Sequence, residues 1–290
     1  MTMATLIAAD RLDDRLRDAA LARLAAARLG ARAGAWVEPG SAIGLIVDGP
    51  AGGLRDALAG WEAVDLVVAP EVAPGLFVAD MDSTMIGQEC IDELADYAGL
   101  KAEVAAVTER AMQGELDFEA ALRARVALLA GLDEGAITRC LADRVRPNPG
   151  AATLVRTLRA RGVTTLLVSG GFTAFAEPVA RQIGFEQVEA NRLAAAGGQL
   201  TGAVDGRIVD ADYKRRALER ERDRLGLPSA ATIAIGDGAN DRMMVEAAGL
   251  GVAYRAKPAL VAVADARLDH HPLDALLWAL GVPSSEWVFS

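Results

Sequence analysis

Three short apolar runs, far apart in the chain, each end in a polar loop of unusual composition. Leu76–Ala79 runs into Asp80-Met81-Asp82-Ser83-Thr84. Val163–Val168 runs into Ser169-Gly170-Gly171, and Thr232–Ile235 into Gly236-Asp237-Gly238-Ala239-Asn240-Asp241. Between them the apolar residues recur at helical spacing. Strands alternating with helices imply an α/β fold built on a parallel, doubly wound sheet. In such a sheet ligands bind beyond the carboxyl ends of the strands. The fold type alone therefore allows the three loops to converge.

The chain has 290 residues, enough for one large or two modest domains. Ahead of Leu76 the pattern differs. A short strand at 5–9 precedes helical spacing from Leu12 to Leu29. Strand-like runs Gly34–Glu38 and Ala42–Asp48 flank the turn at Pro39-Gly40. A short helix, Gly53–Leu58, and a strand, Val64–Ala69, complete a βαββαβ order of the ferredoxin-like kind. Pro70 and Pro74 punctuate the chain, which places one domain at 1–72 and a second at 73–290. From Gln88 to about Arg144 the pattern is helical without a strand, and Pro147 and Pro149 close it. This reads as a helical cap, about 88–146, inserted after the first strand. Helices Ala151–Arg161, Ala174–Ile183 and Tyr213–Leu225, a hairpin region turning at Gly197-Gly198 and Asp205-Gly206, and a strand Gly251–Tyr254 before a terminal helix account for the remainder.

Composition narrows the function. Apolar residues make up 52% of the chain and the formal net charge is -10. A negative surface argues against a nucleic-acid backbone or an anionic membrane as partner. No stretch approaches the roughly 18 apolar residues of a membrane span, and the N-terminus does not read as a secretory signal, so a cytoplasmic protein is expected. Cys90 and Cys140 lack CxxC pairing and are expected as buried thiols.

The converged loops would crowd Asp80, Asp82, Asp237 and Asp241 together. Without a cation some of these would have to take protons. A hard divalent ion with oxygen ligands removes the conflict, and Mg²⁺ accepts one or two carboxylates together with substrate phosphate. Ser169, the glycines and a helix N-terminus offer hydroxyl and N–H donors suited to phosphate. Lys214, one of three lysines in a chain that otherwise uses arginine, could reach the site from the start of its helix. A carboxylate is ionised at neutral pH and can attack phosphorus directly. A second one two residues on can give the leaving alkoxide its proton and later take one from water. Taken singly, each motif is weak. A DxD pair also caps helices, SGG also makes loops, and GDGAND resembles a calcium loop until Met243, Met244 and Val245 resume an apolar pattern. Their order, each after an apolar strand, is what carries the reading.

Together, DMDST, Glu89, the RARVALLAGL run at 123–132, VSGGF, NRL at 191–193, LTG at 200–202 and GDGANDRMM resemble the haloacid dehalogenase superfamily. Within it they are similar to the bacterial phosphoserine phosphatases of serine biosynthesis, over roughly Leu76 to Arg267. The resemblance implies Mg²⁺-dependent hydrolysis of O-phosphoserine, the last step of serine biosynthesis. It implies Asp80 as nucleophile and Asp82 as acid/base, with Asp80, the Asp82 backbone carbonyl and Asp237 on the metal. Ser169, Gly170 and Lys214 would bind phosphate, with Asn240, Asp241 and Gly171 in support. Glu89 and Arg125 would read the amino acid, and Met112, Gly114 and Phe118 would shape the cap pocket. Arg is well suited to clamp a carboxylate and Glu89 to meet an ammonium. Phosphate transfer to another alcohol such as homoserine, or amino-acid binding by a silent enzyme, are the competing expectations. The N-terminal pattern is similar to the small amino-acid-binding ACT domains and is a candidate surface for a homodimer.

Overall fold

A computed structural model of the chain describes residues 2–48, 54, 57, 61, 63–68, 72–112 and 115–289. The described residues up to Val68 include a four-stranded antiparallel sheet: β1 Thr2–Ile7, β2 Gly30–Glu38, β3 Ala42–Asp48 and β4 Asp65–Val68, in the order β2-β3-β1-β4. That order is the one a βαββαβ chain adopts, so the ferredoxin-like expectation holds. Helix Asp14–Ala26 begins where the Asp13 carboxylate accepts from the Leu16 N–H, and it buries Ala20 and Leu24. Most of the helix expected at Gly53–Leu58 lies outside the described residues.

The second sheet has seven strands: β5 Leu76–Ala79, β6 Thr164–Phe172, β7 Gln187–Ala196, β8 Gln199–Asp205, β9 Thr232–Gly236, β10 Leu250–Tyr254 and β11 Ala266–Leu268. Their order is β11-β10-β9-β5-β6-β7-β8, parallel throughout except for the β7–β8 hairpin. β5, which carries the Asp80 loop, lies between β6 and β9, which carry the other two. The three loops are thus neighbours at one edge. β5, β9 and β10 are buried along their whole length, as expected for strands covered on both faces. Strand β11 was not foreseen: three residues are too few for any periodic signal. Four helices, Cys90–Tyr97, Lys101–Met112, Phe118–Ala127 and Gly135–Arg144, form the cap between β5 and β6. No described helix is long and apolar enough to cross a membrane.

One buried carboxylate ties the two sheets together. Asp65, at the start of β4, accepts from the backbone N–H groups of Asp269, His270 and His271 at 2.9, 3.1 and 3.2 Å. It also takes the Nδ1–H of His271 at 2.7 Å, while His271 Nε2 accepts from the Ala9 N–H at 3.0 Å. With one ring nitrogen donating and the other accepting, the imidazole is neutral. Burial pushes the Asp65 carboxyl up, but the hydrogen bonds from His271, Asp269 and His270 outweigh it and hold it below its usual value of 3.8. The folded pKa is depressed, so the stability Asp65 contributes is present above the unfolded pKa and is lost as pH falls through the folded one. Asp65→Ala would orphan several buried donors at once. A loss of about 3 kcal/mol is expected in urea unfolding at neutral pH; an unchanged midpoint would show that water replaces the carboxylate freely.

Candidate active site

Asp80 follows the last residue of β5, and its backbone N–H still donates to Ile235 O at 3.0 Å. Residues 81–85 then make a wide turn closed by the Ile86 N–H on Met81 O. Asp82 keeps extended dihedrals within it, φ -65° and ψ 138°, whereas Ser83 takes the left-handed value of +54°. That conformation costs a non-glycine residue roughly 1–2 kcal/mol. It turns the Ser83 hydroxyl onto Glu89 Oε1 at 2.7 Å. Two extended aspartates thus stand at the mouth of a turn that leads into the cap.

The Asp80 carboxylate is buried among donors. Its Oδ1 takes the Met81 N–H at 2.7 Å and Lys214 Nζ at 2.7 Å, and its Oδ2 takes Asn240 Nδ2 at 3.3 Å. Lys214, in the first turn of helix Ala211–Arg224, also meets Asp241 Oδ1 at 2.8 Å and is 1% exposed. Asp241 Oδ2 accepts from the N–H groups of Asp237 and Gly238 at 3.1 and 3.0 Å. Its carboxyl fills the space a side chain at position 236 would need: a Cβ there would lie 2.4 Å from Asp241 Cγ. Gly236 is therefore required by close approach.

Carboxylate oxygens of Asp80, Asp237 and Asp241 all lie within 4.8 Å of one another, and all three residues are buried. Burial and the Asp241 charge raise the Asp80 pKa, against the pull of Lys214; burial likewise raises Asp237, against Lys257. The excess of carboxylates is what a cation would offset, and an all-oxygen donor set suits a hard one. The triad could hold a metal ion. The Asp82 side chain stands outside it. Its Oδ1 accepts from the Cys90 N–H at 3.2 Å at the start of the first cap helix. Burial, then the Glu89 charge, push the Asp82 pKa to about 7. Burial also raises Glu89.

The second loop is not a loop. β6 continues through Ser169, Gly170 and Gly171 to Phe172 with a register irregularity, and helix Thr173–Ile183 follows directly. The Ser169 hydroxyl accepts the Gly171 N–H at 2.9 Å, which leaves its own proton free for a ligand. A Cβ on Gly171 would stand 2.8 Å from Asp82 Oδ2, so only glycine lets the strand approach that carboxylate. Phe118, at the start of its cap helix and 38% exposed, reaches over Gly170. Arg125 lies seven residues further on the same helix, hence on nearly the same side. It is half-buried, its Nε 3.4 Å from Ala121 O, and among the described residues it has no carboxylate partner. Met112 ends its helix, but its side chain and Gly114 lie outside what is described.

Four contributors escaped the sequence reading. Buried Asn191 donates to Gly170 O and accepts from the Val209 N–H, both at 2.8 Å, which fixes the β6 bulge. Thr84 donates to Asp237 Oδ1 at 3.3 Å, and Asn148 donates to Thr84 O at 2.7 Å. Lys257 Nζ lies 3.4 Å from Asp237 Oδ2. Asn191 stood in the NRL motif without a role. Lys257 could have been found by the argument that singled out Lys214, the scarcity of lysine.

Residues 77–246 match the haloacid dehalogenase-like hydrolase family model, more than half of the chain. The chain belongs to this family. Among similar proteins is a phosphoserine phosphatase of Streptomyces coelicolor, 46% identical over 80% of this chain and 58% of that one. This chain thus spans little more than half of that relative. The phosphoserine phosphatase of Idiomarina loihiensis is 46% identical over 71% of this chain and 93% of its own. The fold is similar to a crystal structure of a probable phosphoserine phosphatase from Vibrio cholerae. It is 32% identical, with a TM-score of 0.78 over 98% of this chain and 88% of that one.

Proposed function

We propose that this chain hydrolyses O-phosphoserine to serine and phosphate, with Mg²⁺, through an acyl phosphate on Asp80. The observation that carries the reading is the setting of Asp80: a buried carboxylate held by Lys214 and Asn240, with Asp237 and Asp241 within coordination reach. Asp80, Asp237 and the Asp82 backbone carbonyl would hold Mg²⁺, with Asp241 behind them. When bound, the ion supplies the positive charge that the crowded carboxylates and the incoming phosphate require.

The protein groups divide the work. An Asp80 oxygen attacks phosphorus as the bond from phosphorus to the serine oxygen breaks. Asp82, whose pKa of about 7 suits a group that must both give and take a proton, protonates the departing alkoxide. Water then attacks the same phosphorus and gives its proton to Asp82, and Asp80 leaves as a carboxylate. The Ser169 hydroxyl, the Gly170 backbone and the Lys214 ammonium steady the phosphate oxygens. Glu89 takes the substrate ammonium and Arg125 its carboxylate.

The test is phosphate release from a panel of phosphorylated amino acids and sugar phosphates, with Mg²⁺ and with chelator. Fastest turnover of phosphoserine, lost in chelator, is expected; a preference for sugar phosphates would replace the substrate assignment. Arg125→Ala should weaken phosphoserine turnover ten- to hundredfold relative to a phosphate ester that lacks a carboxylate. This is the loss of one charge-assisted hydrogen bond, about 1.5–3 kcal/mol. Equal loss on both substrates would make Arg125 a structural residue of the cap.

A further inference from the structure

Lys257 has no part in the scheme above, yet it faces one of the acids at its centre. After β10 the chain turns at Arg255, φ +43°, and the Lys257 backbone N–H donates to Asp237 O at 2.8 Å. The ammonium lies 3.4 Å from Asp237 Oδ2, while Oδ1 is engaged by Thr84. The two lysines of the site are held differently. Lys214 is 1% exposed and gripped by two carboxylates, whereas the Lys257 side chain is 68% exposed and meets one at its tip. Its backbone stays tethered while its ammonium is free to swing into water.

We infer that Lys257 is a placeholder cation: its ammonium neutralises Asp237 in the metal-free protein and gives up Oδ2 when a divalent metal arrives. It thereby sets how tightly the site binds metal. The inference rests on the metal-binding reading of Asp80, Asp237 and Asp241. Three observations support it. The ammonium sits on an oxygen of the carboxylate triad, so ion and ammonium compete for it. A lysine is a point charge on a flexible stem and leaves easily, where an arginine fork would clamp a carboxylate with two hydrogen bonds. The chain writes nearly all its cations as arginine, with only three lysines among 30 Lys and Arg residues, yet two of those three stand at this acidic cluster. Lys257 is also close enough to Glu89 for their charges to interact, which gives the displaced ammonium a second acid to face.

The experiment is calorimetric titration of the full-length, chelator-stripped protein with Mg²⁺ alone, repeated with Mn²⁺ and read by electron paramagnetic resonance. Neither needs turnover. Lys257→Met keeps the length of the side chain and removes its charge. It should lower the metal Kd about tenfold at low salt, the effect of deleting one positive charge several ångströms from a divalent ion in largely aqueous surroundings. The gap should narrow as salt rises. Lys257→Arg should bind metal no more tightly than the parent. Lys257→Gln, a polar alternative, should behave like the Met variant if charge is the cause. A Kd that is unchanged or higher in both neutral variants, with the parent binding metal, overturns the placeholder role alone. A parent protein that takes up neither ion overturns the metal-binding reading with it.

Discussion

Asp80→Asn should lower phosphoserine turnover on the order of a thousandfold or more, the scale seen when a lone nucleophile is removed. An amide oxygen is neutral and does not attack phosphorus. The fold should not suffer. Asn keeps the shape of the side chain and can accept the Met81 and Lys214 hydrogen bonds that Asp80 Oδ1 now takes. It also removes one negative charge from a buried cluster in which burial and Asp241 already raise the pKa of Asp80. The metal-free variant should therefore unfold at the same temperature as the parent, or higher. This separation of activity from stability distinguishes a nucleophile from a scaffold residue. Turnover near the parent level would end the covalent mechanism.

Lys214→Met should behave in the opposite way, damaging both. The ammonium is the nearest cation to two buried carboxylates, at 2.7 Å from Asp80 and 2.8 Å from Asp241. Burial disfavours its charge, but the two aspartates outweigh that and raise its pKa. Removing one partner of a buried ionic group leaves uncompensated charge and typically costs about 3–5 kcal/mol. The loss should appear in urea unfolding of the metal-free protein. Saturating Mg²⁺ should recover part of it, because a ligand of the folded state stabilises by mass action. An unchanged unfolding midpoint would mean that Asp80 or Asp241 takes a proton at no cost.

The contrast between these residues and those missed explains what the sequence disclosed. Asp80, Asp82, Ser169, Asp237 and Asp241 stand at the ends of apolar strands, so a local pattern and one rule about parallel sheets brought them to one place. Lys214 needed only a count of lysines. The helical cap was legible as an uninterrupted stretch of 3.6-residue periodicity between two strands. Asn191 and Asn148 act through partners 21 and 64 residues away, and nothing local distinguishes them from surface residues; Lys257, 20 residues from its partner, was marked only by the scarcity of lysine. Asp65 is the clearest case. A strand that opens on an aspartate reads as one entering from a turn. Its partners at 269–271 lie about 200 residues on, where the three-residue β11 gave no warning. The wide turn at 81–85 was not legible for a related reason. Its shape depends on a left-handed Ser83, which is held by a hydroxyl contact to Glu89 rather than by residue preference.

A covalent bond between Asp80 and phosphate is the central step, and a rapid acid quench during turnover tests that bond directly. The protein is mixed with radiolabelled phosphoserine and Mg²⁺, stopped in acid within the first turnover, digested, and its labelled peptide sequenced by mass spectrometry. The prediction is acid-stable, hydroxylamine-sensitive phosphate on Asp80, rising before free phosphate appears and absent in Asp80→Asn. Steady release of phosphate with no labelled protein at any time, or label on a residue other than Asp80, would contradict it.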